Sequence, residues 1–185
     1  MTNKPSNWKT VSSKMILNHH LLKVTEDVAK LPDGKETTYV RHAPSKNDSV
    51  IIIALDNNGD VLVQREYSYP PNKVMFQLPG GSMKPGESII TAAKRELAEE
   101  SGYSGHSIKQ LGSYYVINRL SDKQQHVLLF KNLFRHKLKE DDDEFIETLW
   151  LPKDKIIQMI RNQQIDNINL LAALNMWFCN ESINE

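Results

Sequence analysis

The sequence predicts an α/β domain of the α+β type, and three observations carry that assignment. The first half is rich in short β-branched and aromatic runs, one glycine- and proline-rich loop opens a charged helix near the middle, and two helical patterns close the chain. The 185 residues suffice for one full domain with a sizeable core, or for that domain with a small accessory piece, and not for two complete domains.

From Trp8 to His42, the stretches "KTVSSKMIL", "HHLLKVTEDVA" and "KETTYVRH" have strand composition, and "LPDGK" (Leu31 to Lys35) turns the chain between the last two. Residues 1–46 therefore read as a small antiparallel β-ribbon. The polar "APSKNDS" (Ala43 to Ser49) separates it from a main domain at 47–185. There "VIIIAL" and "VLVQREY" are two strands joined by "DNNGD", whose Asn58-Gly59 pair suits a hairpin turn. After the central loop and helix, "SIKQLGSYYVI" and "QHVLLFKNLF" are further strands, and the acidic "KEDDDE" leads into "FIETLWL". One helix follows Pro152. The next carries Leu170, Leu171, Leu174, Trp177 and Phe178 on one apolar stripe.

Composition excludes several classes. The 23 Lys and Arg balance 23 Asp and Glu, so the broad positive field of a nucleic-acid binder is missing. The single Cys179 permits neither an intramolecular disulfide nor a cysteine zinc site, and the six histidines show no ligand spacing. "MTNKPSNWKTVSSK" lacks the apolar centre of a signal peptide, and no run of about 18 apolar residues spans a bilayer, so a cytoplasmic protein with no membrane partner is expected.

The chemistry concentrates in "LPGGSMKPGESIITAAKRELAEESGY", Leu78 to Tyr103. In a helix from about Ser88 to Ser101, Ile90, Ala93 and Leu97 are spaced to face the core, and Glu96, Glu99 and Glu100 are expected to point away from it together. Like charges three and four apart repel, so a cation is needed among them. Hard divalent ions such as Mg²⁺ take carboxylate oxygens, waters and substrate phosphates. Gly80, Gly81 and Gly86, with Pro79 and Pro85, build a loop that can turn carbonyls toward a ligand. Glu87 and Arg95, eight apart, are placed to pair.

Gly81, five residues, Glu87, seven residues and then "RELAEESGY" resemble the Nudix box of the Nudix hydrolase family, with Gly81, Glu87, Arg95, Glu96, Glu99, Glu100 and Gly102 all present. At about one chance match in fifteen per position, seven coincide roughly once in 10⁸ starts. The resemblance implies the Nudix fold, a mixed β-sheet sandwiched between helices, and hydrolysis of a nucleoside diphosphate linked to another group. It makes Glu96, Glu99, Glu100 and the Gly80 carbonyl the ligands of Mg²⁺, with Mn²⁺ as a substitute, and Glu87–Arg95 a structural salt bridge. Tyr103 replaces the usual aliphatic residue at a packing position. The catalytic base is nominated from the loop Glu140 to Glu144, Glu144 first; the same run also fits a solvated charged segment.

"VLVQREYSYP", the N-terminal ribbon and "DEFIETLWLPKDKIIQMIRNQQIDNINLLAAL" resemble the ADP-ribose pyrophosphatase branch, which implies a ribbon-mediated homodimer. Two departures stand at the substrate end: Ser68 replaces an arginine, and Asn118-Arg119 replace a proline-glycine pair. Arg65 and Arg119 are candidate phosphate binders and Tyr39 a candidate platform for the base, against plain surface and packing roles; Arg41 fits a surface arginine better. The expected reaction gives a nucleoside monophosphate and a sugar phosphate from ADP-ribose or a related nucleotide sugar. GDP-mannose, a dinucleotide or a nucleoside triphosphate are alternatives, as is a non-catalytic nucleotide-binding module. That module would be expected to lose box glutamates, and here all are present.

Overall fold

The computed structural model describes residues 6–45, 47–139 and 145–181. Two compact units emerge, Met1–Lys46 with Tyr115–Lys123, and Asn47–Tyr114 with Gln124–Glu185.

In the first unit β1 (Lys9–Asn18), β2 (Lys23–Lys30) and β3 (Glu36–His42) form an antiparallel sheet in that order. All ten β1 residues are exposed. The segment 115–123 is fastened to the ribbon: the His42 N–H donates to the Leu120 carbonyl at 2.7 Å, and the Ser45 N–H to Asp122 Oδ1 at 2.9 Å. Asp27 is buried and accepts from Ser13 Oγ at 2.5 Å and Arg41 Nε at 2.6 Å. The Ser13 hydroxyl and then the Arg41 guanidinium hold its carboxyl below the ordinary 3.8, against the opposing effect of burial.

The second unit holds β4 (Ser49–Ala54), β5 (Val61–Ser68), β6 (Lys73–Gln77), α1 (Ile89–Ser101), most of β7 (Tyr103–Tyr115), β8 (Gln124–Arg135), β9 (Glu147–Leu151), α2 (Lys153–Arg161) and α3 (Ile168–Glu181). One sheet has the order β4-β8-β7, with β4 parallel to β8. The other has the order β6-β5-β9 with antiparallel pairs. Every β4 side chain is buried, which is why "VIIIA" shows no alternation. Its two faces serve separate cores. Ile51 and Ile53 join Val127, Leu129 and the apolar faces of α2 and α3. Val50, Ile52 and Ala54 join Leu128, Phe130 and α1. Helices thus cover both faces of the mixed sheet.

The "DNNGD" turn forms, with Asp56 Oδ1 accepting the Asn58 and Asp60 N–H groups at 2.8 Å and Gly59 at φ 84°. It does not close a long hairpin. After the single bridge Leu55–Val61, β4 and β5 enter different sheets, because β4 takes β8 as its ladder partner and β5 takes β6 and β9.

Candidate active site

The loop before α1 is laid along β4 like an extra strand. The Ile52 N–H donates to the Pro79 carbonyl at 2.8 Å and the Val50 N–H to the Gly81 carbonyl at 2.9 Å. Strand alternation turns the intervening Gly80 peptide groups away from β4, and the Gly80 N–H reaches Glu100 Oε2 at 3.1 Å. Only glycine fits there: φ is 154°, and a Cβ would stand 2.2 Å from the Val50 carbonyl oxygen.

Ser88 caps α1, its hydroxyl accepting the Thr91 N–H at 3.1 Å, and Gly102 ends it in the left-handed conformation at φ 72°. Ala92, Ala93, Leu97 and Ala98 face the core. Two expectations fail here. Ile90 is 51% exposed and its neighbour Ile89 packs instead, while Glu96 is only 9% exposed rather than turned outward. The reason is local. Gly81 has no side chain, and the Glu96 carboxylate occupies that space, 2.6 Å from where a Cβ would sit.

Arg95 gathers the charges. Its Nε and Nη2 grip Glu87 at 3.0 and 2.9 Å, and Nη1 donates to both Glu96 Oε1 and Glu99 Oε2 at 2.8 Å. Hydrogen bonding from Arg95 lowers the Glu87 carboxyl despite its burial, and the same contacts hold Arg95 firmly protonated. Glu96 is pushed up, chiefly by burial and further by its like-charged neighbours Glu99 and Glu87, with Arg95 opposing. Glu100 stands apart on its own supports: Gln64 Nε2 donates to its Oε2 at 2.9 Å, beside the Gly80 amide. Gln64 is fully buried, and its Oε1 has no partner among the described residues. Sequence reading missed it; a glutamine ending "VLVQ" carries no sign of a carboxylate 36 positions away.

The donor set suits a hard divalent ion in its chemistry. Four carboxylates, Glu87, Glu96, Glu99 and Glu100, share one loop-helix junction with the Arg95 guanidinium, leaving excess negative charge for a cation to balance. Among the described residues no three acidic or imidazole groups converge on a single point, since Glu96 and Glu99 close on Arg95 and Glu100 on Gln64.

Residues 45–174 match the family model described as the NUDIX domain. The chain belongs to the Nudix family. Residues 8–39 match a second model, the nucleoside diphosphate sugar hydrolase N-terminal domain. Among curated relatives, a methanol dehydrogenase activator from Bacillus methanolicus is 27% identical over 90% of both chains, and an ADP-ribose pyrophosphatase from Bacillus subtilis is 23% identical over 90% of both. A crystal structure of an ADP compounds hydrolase superposes with a TM-score of 0.88 at 18% identity, covering 97% of this chain and 98% of that one. This Nudix chain is a pyrophosphohydrolase, and its likeness is to the ADP-ribose pyrophosphatase branch.

The remaining candidates of this Nudix hydrolase fall in separate places. Arg65 pairs with Glu147 at 2.8 Å and lies over the Phe76 ring, both arginine and glutamate being exposed. Tyr39 donates its hydroxyl to the Arg119 carbonyl at 2.7 Å and meets Trp8 edge-on. Tyr39, Arg41, Asn118 and Arg119 line a cleft of about 580 Å³ within the first unit. Arg41 is committed to Asp27. Tyr103 packs edge-on against Trp150. Ser68 ends the β5–β6 pairing opposite Lys73. Glu144 lies outside the described residues.

Proposed function

We propose that this protein cleaves the pyrophosphate bond of a nucleoside diphosphate sugar, ADP-ribose first among them, giving a nucleoside monophosphate and a sugar phosphate. The observation that carries this reading is the excess of negative charge gathered at one loop-helix junction, with Glu96 and Glu99 on Arg95 and Glu100 on Gln64 and the Gly80 amide. Glu96, Glu99, Glu100 and the Gly80 carbonyl would hold Mg²⁺, or Mn²⁺ in its place, which when bound offsets the diphosphate charge and acidifies a water. Arg95 keeps the ligand carboxylates from repelling one another apart. Arg65 is the phosphate-binding arginine of the second unit, once Glu147 releases it. In the first unit, Tyr39 and Arg119 border the cleft suited to a base. Glu144, outside the described residues, takes the proton from the attacking water. The exposed apolar side chains of β1, Val11, Met15, Ile16 and Leu17, support a homodimer formed through the ribbon. No described helix is long and apolar enough to cross a membrane, in keeping with a cytoplasmic enzyme.

The test is phosphate-monoester release from ADP-ribose, NADH, GDP-mannose, diadenosine polyphosphates and nucleoside triphosphates with Mg²⁺, alongside Glu100→Gln. ADP-ribose is expected to be cleaved fastest and the variant to lose most activity. A different leading substrate refutes the specificity. A folded protein that binds Mg²⁺ and cleaves nothing refutes the catalytic reading.

A further inference from the structure

A second cleft, of about 190 Å³, lies in the second unit, bordered by Gly80 and Gly81 and walled by side chains from β6, β8 and the turn before α3. Its polar side chains are all uncharged, in contrast to the box beside it. It is smaller than the 300–1,000 Å³ that takes a whole drug-sized ligand, so it suits one part of a larger molecule.

The hydrogen bonds fix which way each amide faces. Asn167 Oδ1 accepts the main-chain N–H groups of Asn169 and Leu170 at 2.9 and 3.4 Å, capping α3, so its NH₂ is the end left over. Asn169 Oδ1 lies 3.3 Å from the Tyr114 hydroxyl, which also reaches the Asn169 carbonyl. With Oδ1 on the side of that hydroxyl, the Asn169 NH₂ is left over as well. The glutamines are reversed. Gln125 Nε2 donates to the Val50 carbonyl at 2.9 Å and Gln77 Nε2 to the Glu66 carboxylate, so each has a carbonyl oxygen to spare. The cleft thus offers amide donors from the α3 turn and carbonyl acceptors from β6 and β8. Ile51, Leu78 and Leu170 supply apolar surface between them.

A phosphate, which only accepts, is poorly served by carbonyl oxygens, and no cationic side chain lines the cleft. A sugar hydroxyl, which both accepts and donates, matches both sets at once, while its C–H faces suit the apolar surface. We propose that this cleft binds the sugar ring of the substrate, with Asn167, Asn169, Gln77 and Gln125 as the residues that read its hydroxyls. The assignment rests on the nucleoside diphosphate sugar reading above, and it gives sugar selectivity to residues of the second unit.

Asn167→Ser keeps a capping oxygen for α3 and removes the donor without adding charge; Asn169→Asp keeps the acceptor for Tyr114. The full chain and both variants are assayed on ADP-ribose, ADP-glucose and GDP-glucose, and on the methyl ester of ADP, which has no sugar beyond the diphosphate. Each variant is expected to lower kcat/KM about tenfold on the three sugar substrates. Asn167→Ser should stay within about twofold on the methyl ester. Equal loss on the methyl ester, or a change of base preference with no change of sugar preference, overturns the proposal. If the wild type cleaves none of these, the substrate reading fails, and calorimetric binding of ribose 5-phosphate decides the cleft by itself. Binding weakened about tenfold in Asn167→Ser supports it; absent or unaltered binding overturns it.

Discussion

Gly81→Ala isolates the placement of one metal-binding candidate from the integrity of the fold. Gly81 has no left-handed backbone to strain, and the atoms an added Cβ meets belong to the Glu96 carboxylate, at 2.6 to 2.8 Å. Ordinary contact begins at 3.4 Å, so the carboxylate must retreat by about 0.8 Å from the nearest approach. That movement breaks or stretches the 2.8 Å bond from Arg95 Nη1, while Arg95 keeps Glu87 and Glu99. A charge-assisted hydrogen bond contributes about 1.5–3 kcal/mol, and replacing glycine by alanine returns about 0.4–1 kcal/mol by restricting the unfolded chain. The net cost is about 1 kcal/mol, or a fall in Tm of about 2–4 °C. Activity should fall far more, about a hundredfold, as expected when a catalytic group is misplaced by about 1 Å. Circular dichroism melts, kcat/KM on ADP-ribose and Mg²⁺ titration by calorimetry measure the three quantities. Full activity with unchanged Mg²⁺ affinity would refute the role given to Glu96. A collapse in stability would refute the claim that only a side-chain end is in the way. Gly80→Ala is the contrast, because its Cβ meets the backbone of β4 and should cost folding first.

Two other outcomes follow from buried polar groups. Gln64→Leu removes the donor to Glu100 together with the unpartnered Oε1, so kcat/KM should drop about tenfold while the urea midpoint moves little; a large stability loss would show that Gln64 serves the core instead. Asp27 has a depressed carboxyl pKa, so its contribution is present above the unfolded value near 3.8 and disappears as pH falls through the lower folded value. Asp27→Asn should therefore be less stable than wild type near neutral pH, with the gap closing in acid. A gap that stays constant down to about pH 3 would contradict the Ser13 and Arg41 account.

Much of this was legible because the box is local. The helix from about Ser88 to Ser101 and the Glu87–Arg95 pair follow from spacing alone, and all of it lies within two dozen residues. The apolar stripe of α3 was equally plain, its Leu170, Leu174 and Trp177 all buried. What stayed hidden depends on partners distant in the chain. The face of α1 could not be phased from its own pattern, since the side chain missing at Gly81 is what admits Glu96. Nor could "DNNGD" reveal that its flanking strands part company, because β8, some seventy residues on, claims β4. Strand β6, "KVMFQ", is short and half-exposed, and its pattern is weak without β5 beside it. The amide cleft draws on Gln77, Gln125, Asn167 and Asn169, which no sequence window brings together.

Gly80 and Gly81 border both the carboxylates of the box and the neutral amide cleft, and they present no side chain to either. They form a party wall a single main chain thick. A molecule engaging both rooms need carry only a short bridge between its charged and its hydroxylated ends, and the length of that bridge is set by the absence of two methyl groups.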